Sequence, residues 1–200
     1  MKKELTQIKH ARSAKDFPEI NLEENEYVVL HIKRAYVGIV LIWTAVGALI
    51  IALSVLLILI MNTANNQSSA FVLNEQSLGY LRLGVFALYG VIIFGGFMSQ
   101  AIYDQNQLYI TNYRAIQKTR TSLFANSTNV IKLSRIEDVS YRQKTLFDHI
   151  FKIGTLRMST VGDETTYTFP WLDTPNDEVK TISHLVYENK HSFRQVEDDK

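Results

Sequence analysis

In the stretch "LSRIEDVSYRQKTLFDHIFKIGTLRMST", Leu133 to Thr160, an acid and a histidine stand side by side inside an apolar knot: Asp148 and His149 in "LFDHIF". Such a pair can serve acid–base catalysis, the carboxylate orienting an imidazole that moves the proton. Adjacency works against it here. Neighbouring side chains point to opposite faces of a strand, or about 100° apart on a helix, so the two groups do not converge on one substrate. No Gly-x-Ser-x-Gly elbow supplies a nucleophile. His10, His31, His149, His184 and His191 lack the His-x-x-x-His spacing of a metal site, and the chain has no cysteine. The expectation is a chain that is not an enzyme, with no catalytic residues, no metal and no cofactor.

Two other groups suggest contact rather than catalysis. Between residues 104 and 162 the cations outnumber Asp104, Glu137, Asp138 and Asp148, and Arg114, Lys118, Arg120, Arg142, Lys144 and Lys152 could share a basic face. Near an anionic leaflet each contributes on the order of 1 kcal/mol; on a solvated strand face they do nothing. Leu146, Phe147, Ile150 and Phe151 have the i, i+1, i+4, i+5 spacing of one helical face. That predicts a short helical turn plugging the end of a sheet, with Asp148 and His149 on its wet side. Phe147 and Phe151 are then either buried or offered to a bilayer or a partner. The net charge of +1 invites no nucleic acid.

The elements that must position these residues fall into two classes. "VGIVLIWTAVGALIIALSVLLILIM" (37–61) and "GVFALYGVIIFGGFMSQAI" (84–102) are free of charge. Crossing a hydrocarbon core takes roughly 20 apolar residues, so both read as membrane spans, and the first lies too far in and runs too long for a signal peptide. Lys2, Lys3, Lys9, Arg12, Lys15, Lys33 and Arg34 precede the first span and Arg114, Lys118 and Arg120 follow the second, while the connection carries only Arg82. Positive residues stay inside, which puts both termini in the cytoplasm. The spans hold no ionisable acid, base or histidine, which argues against transport. Ala48 and Ala52 are small residues that could let two helices approach.

Beyond Tyr103 the period changes to two. "QLYITNYRAIQKTR" alternates as one strand, "SLFANS" breaks the run, and "NVIKLSRIEDVSYRQK" alternates with a phase slip near Ser134–Arg135 that marks a bulge or turn. "GTLRMSTVG" and "TTYTFPW" read as a hairpin turning at Gly162-Asp163-Glu164. Thr174 as N-cap and Pro175 at the first helical position open a helix whose Val179, Ile182, Leu185 and Val186 form one apolar stripe. "NEYVVLHI" ahead of the first span also alternates; residues 26–32 are an added strand or the run into the span.

Two spans, then strands, then one helix resembles the bacterial pleckstrin-homology-like membrane proteins. The residues that carry the resemblance are "YITNYRAI" (109–116), "LSRIEDVSYRQ" (133–143), "LFDHIFKIGTLRM" (146–158) and "FPWLDTPNDEV" (169–179). They follow a family pattern of T-N-x-R, I-x-D-V and G-x-G-T motifs in that order, with Lys152 standing where the pattern has the first glycine. The resemblance implies a PH-like fold, a strongly bent sheet capped by a helix, and Lys118-Thr119-Arg120 is similar to the basic cluster with which some PH domains hold phosphoinositide headgroups. It implies no particular ligand.

The expected fold class is α+β: a two-helix transmembrane hairpin, then a cytoplasmic PH-like bent antiparallel sheet capped by a C-terminal helix. The expected divisions are an N-terminal segment 1–35, the hairpin 36–103, the PH-like domain 104–188 and a polar tail 189–200. The expected function is a membrane-anchored binding or scaffold module at the inner face of the cytoplasmic membrane. Its partners would be membrane lipids, a protein, or a second copy. The other reading is an accessory subunit of a membrane enzyme or transporter.

Overall fold

The structure is a computed structural model that describes residues 2–64, 75–160, 166–173 and 176–198. The chain divides into two compact units, Tyr36–Tyr103 and a second made of Met1–Ala35 with Asp104–Lys200.

The first unit holds two helices, α2 (Val37–Ala64) and α3 (Glu75–Asp104). α2 from Val37 to Thr63 and α3 from Gln76 to Asp104 are long and apolar enough to cross a membrane, with mean hydropathies of 2.8 and 1.9. α3 starts ahead of the apolar run expected at 84: "EQSLGYLR" contains no Pro, and its single Gly79 costs only about 1 kcal/mol within a helix. The helices do not meet through Ala48 and Ala52, which are exposed. They meet where Gly96 leaves room for Val46, since an added Cβ would stand 2.9 Å from Val46 Cγ2. Their polar groups satisfy one another: Trp43 Nε1 donates to Gln100 Oε1 (2.8 Å), and the Ser54 and Tyr89 hydroxyls lie 2.7 Å apart.

The second unit begins with α1 (Lys2–Asp16) and β1 (Val28–Lys33). After the apolar helices come β2 (Gln107–Thr111), β3 (Arg114–Arg120), β4 (Asn126–Lys132), a 3-10 turn (Leu133–Arg135) and β5 (Ile136–Arg142). α4 (Leu146–Ile150), β6 (Ile153–Thr160), β7 (Thr166–Asp173) and α5 (Asn176–Asp198) complete it. The expected Gly162-Asp163-Glu164 turn and the Thr174–Pro175 helix start lie outside the described residues. α5 runs past the expected end near residue 188, since "HSFRQVED" contains neither Gly nor Pro.

Hydrogen bonding sorts the strands into two antiparallel sheets, β1-β2-β3-β4 and β5-β6-β7, rather than one bent sheet. The phase slip at Ser134–Arg135 is the 3-10 turn between them. The segment 107–120 is not one strand but the β2–β3 hairpin, with Asn112 and Tyr113 at its turn. The signal was Thr-Asn: the Thr111 hydroxyl accepts the backbone N–H of Arg114 (3.0 Å), a side-chain turn that ends the strand. The alternation of residues 26–32 resolves as a strand, β1, paired with β2 from Val28↔Thr111 to Lys33↔Gln107.

The core is built by period-two burial. Ile32, Leu108, Ile110, Ala115, Ile131 and Leu133 pack with Leu156, Met158, Phe169 and Leu172 of the second sheet, and α5 contributes Ile182 and Val186. The other face of β2 and β3 is buried too. Tyr109 and Ile116 lie under Phe17, Ile20 and Leu22. The N-terminal segment, set apart as 1–35 in the sequence reading, is therefore part of this unit.

Candidate functional site

The six cations expected on one face are placed in three environments. Arg114 is held by the N-terminal segment. Its Nε and Nη2 donate to Glu26 Oε1 and Oε2 (both 2.8 Å), Nη2 also donates to the Asn21 carbonyl (2.8 Å), and Glu23 stands 3.3 Å away. Glu26 is fully buried. Burial pushes its carboxyl up, but hydrogen bonds from Arg114, the Glu23 N–H and Thr111 outweigh this and hold it below the ordinary value. Arg114 is thus a structural partner, unlike the free lipid contact the sequence suggested. Lys118 donates from Nζ to the Glu19 carbonyl (2.7 Å) and lies 5.8 Å from the Tyr109 ring centroid, against the same segment.

Arg120 sits at the end of β3, where its guanidinium donates to the Ser122 and Leu123 carbonyls and to Gln105. It ties the β3–β4 loop, whose tip carries Phe124, to the residues that begin this part of the unit. Phe124 is 97% exposed. Sequence reading took "SLFANS" as a strand break and missed that its apolar pair points out.

Arg142 and Lys144 precede α4 in the chain and Lys152 follows it, and all three are exposed. Thr145 and Asp148 form a capping box: Thr145 Oγ1 accepts the Asp148 N–H (3.1 Å), and the Asp148 carboxylate accepts the N–H groups of Lys144 (2.8 Å) and Thr145 (3.0 Å). Those two backbone N–H groups hold the Asp148 carboxyl below its usual range. Asp148 is therefore a helix cap and His149 is exposed beside it. α4 is the short helical turn expected, but it is not a plug, for it contains no buried residue. Phe147 is half-buried, against Phe151 (ring centroids 4.4 Å) and Trp171 (6.1 Å). Leu146 (83% exposed), Ile150 and Phe151 face outward.

A separate cleft of about 510 Å³ opens at the β2–β3 turn end of the domain. Tyr113, Val130, Ile131 and Tyr167 supply apolar wall, and Glu23, Glu24, Lys132 and Arg135 are among the charged residues of the lining. Unlike Arg114, which also lines it, Lys132 and Arg135 have no ion pair among the described residues. Sequence reading proposed neither as a contact, although the phase slip at Ser134–Arg135 marks the 3-10 turn that holds Arg135 and follows Lys132. Among the described residues no cluster of three His, Asp or Glu could hold a metal.

The profile of the bacterial PH domain family matches residues 27–188. The chain belongs to the bacterial PH domain family. A solved structure described as a DUF1696 family protein with a pleckstrin-homology domain, from Shewanella loihica PV-4, is similar at 15% identity. The match covers 42% of this chain and 70% of that one, with a TM-score of 0.32. No curated protein matches. The bacterial PH match includes β1 and the two apolar helices between β1 and β2.

The geometry explains two of the motifs. Thr111, Asn112 and Arg114 of T-N-x-R receive the segment Asn25-Glu26-Tyr27. Asn112 Oδ1 accepts the Tyr27 N–H (3.0 Å), Asn112 Nδ2 donates to the Asn25 carbonyl (3.2 Å), and the Thr111 hydroxyl donates to Glu26 (2.7 Å). Lys152, at the first glycine position of G-x-G-T, has φ 52°, a backbone region where glycine is at ease and lysine is not. The second glycine, Gly154, lies under the Tyr141 ring, where an added Cβ would stand 2.4 Å from Cζ.

Proposed function

We propose that this bacterial PH protein is a membrane-anchored binding module that recruits or organises protein partners at the inner face of the cytoplasmic membrane, and that it has no catalytic role. The cleft carries this reading. Its volume is that of a ligand site. It pairs an apolar wall with Lys132 and Arg135, which form no ion pair among the described residues. It also lies at the β2–β3 turn, the opposite end of the first sheet from Lys33 and Gln107, where the chain leaves for and returns from the apolar helices. β4 is the edge strand of its sheet and lends Val130–Lys132 to the cleft, so an extended acidic segment of a partner could add to this edge and place a carboxylate between Lys132 and Arg135. Tethering raises the effective concentration, so a weak contact suffices.

The test is photo-crosslinking in intact membranes from a reactive residue at Val130. A discrete adduct is expected, and Lys132→Glu with Arg135→Glu should abolish it. An adduct that survives both charge reversals, or none, sinks the cleft as the binding site.

A further inference from the structure

We infer that the end of the PH domain through which the chain enters and leaves the two apolar helices is itself a lipid-facing surface, with two apolar prongs seated in the headgroup–acyl boundary of the anchoring bilayer. The prongs are Leu123–Phe124 at the β3–β4 tip and Leu146 with Ile150 on α4. The inference rests on the membrane-anchored reading above and adds that the domain touches the lipid.

Placement is the first argument. Ala35 is the last residue of the domain before the first apolar helix and Asp104 the first after the second. The Ala35 N–H donates to the Trp171 carbonyl (2.6 Å), and the Trp171 ring meets Phe147 of α4. On the return side, Asn106 exchanges hydrogen bonds with the Arg120 backbone (both 3.1 Å), and Arg120 holds the β3–β4 loop. Each prong is therefore within a side chain or two of a chain exit, and the exits adjoin through Lys33↔Gln107.

The second argument is that both prongs are built structures. The loop is closed by the Thr121 N–H on the Ala125 carbonyl (3.2 Å) and the Ala125 N–H on Ser122 Oγ (3.1 Å), which leaves Phe124 projecting from a tight turn. α4 is fixed by its capping box. Tight surface turns ordinarily carry polar tips. Two ordered tips that expose Phe and Leu at one end of a domain mark an interaction surface.

Charge selects the occupant. Arg142, Lys144 and Lys152 flank α4, and Arg120 lies beneath the other tip. The acids nearby include Asp104, Asp148, whose carboxylate is engaged by the cap, Asp173, register partner of Ile153, and Glu178 near Asp173. Apolar tips with a cationic collar fit an anionic lipid interface.

The absence of cysteine makes the test clean. Single variants Phe124→Cys and Ile150→Cys, with the exposed Glu137→Cys at the far end as control, are labelled with an environment-sensitive nitrobenzoxadiazole dye. The full-length protein is reconstituted in mixed phosphatidylcholine–phosphatidylglycerol vesicles. Flotation reports anchoring separately. The inference expects emission several-fold brighter at Phe124 and Ile150 than at Glu137, with strong quenching by lipids spin-labelled just below the headgroup. Replacing Arg142, Lys144 and Lys152 by Gln should weaken the quenching. If the protein floats but both tips stay dim and unquenched, this surface is not lipid-facing, and a protein occupant is then indicated if the tips light up only in native membranes. Failure to float overturns the anchored reading and this inference together.

Discussion

Truncating Glu26→Ala removes the one carboxylate that both oxygens anchor to β2–β3. It leaves the Arg114 side chain, 19% exposed, without its main counter-ion, and removes the acceptor of the Glu23 N–H; the Thr111 hydroxyl keeps the Arg114 carbonyl (2.9 Å). Breaking a buried pair from one side costs about 3–5 kcal/mol, because the surviving charge stays desolvated. For a domain of this size that corresponds to roughly 10–20 °C in Tm. The readout is Trp171 fluorescence of full-length protein in detergent, in a Trp43→Phe background so that only the PH domain reports. Removing both charges is the sharper experiment. Glu26→Leu with Arg114→Met leaves neither charge of the pair unpartnered, so the double variant should cost well under the sum of the singles. Additivity within about 0.5 kcal/mol would refute the pairing argument. The pH dependence has a fixed sign. Glu26 titrates lower folded than its ordinary 4.5, so its contribution is complete above about pH 4.5 and is lost as pH falls through the folded value. The Glu26→Ala protein should lack that acid-side loss.

Glu178, near Asp173 at the start of α5, is the opposite case: burial and then the Asp173 charge push its carboxyl up. It favours folding at low pH and opposes it above, so Glu178→Gln should stabilise at pH 7 by less than about 1 kcal/mol after solvent screening, with no gain below about pH 4.5 in matched melts. Lys152→Val places a β-branched residue at φ 52° and should lower stability by about 1–2 kcal/mol, whereas Lys152→Gly should be close to neutral; equal effects would mean the backbone there is not left-handed. Gly154→Ala drives a methyl into Tyr141 and should cost about 1–3 kcal/mol, recovered in part by Tyr141→Leu. Membrane topology is testable by impermeant maleimide: a cysteine at Ser69 should label in intact cells, and one at Lys15 only after permeabilisation.

The amino-acid sequence by itself determined what depends on local period and composition. Charge-free runs specify two helices long enough to cross a membrane. Alternation specifies the strands, and the spacing of Val179, Ile182, Leu185 and Val186 specifies the face that α5 gives to the core. The order of weak motifs identified the family. These are one-dimensional properties, read along the chain without knowing which distant segments meet. What only the tertiary structure decided depends on contacts distant along the chain. Arg114 looked like a free cation until Glu26, on the far side of both apolar helices, was found on its guanidinium. Phe147 and Phe151 looked equivalent; Trp171 shelters the first, and Phe151 is left facing out with Leu146 and Ile150. A paired charge and an exposed ring are defined by what surrounds them, and for these residues the surroundings arrive from elsewhere in the fold.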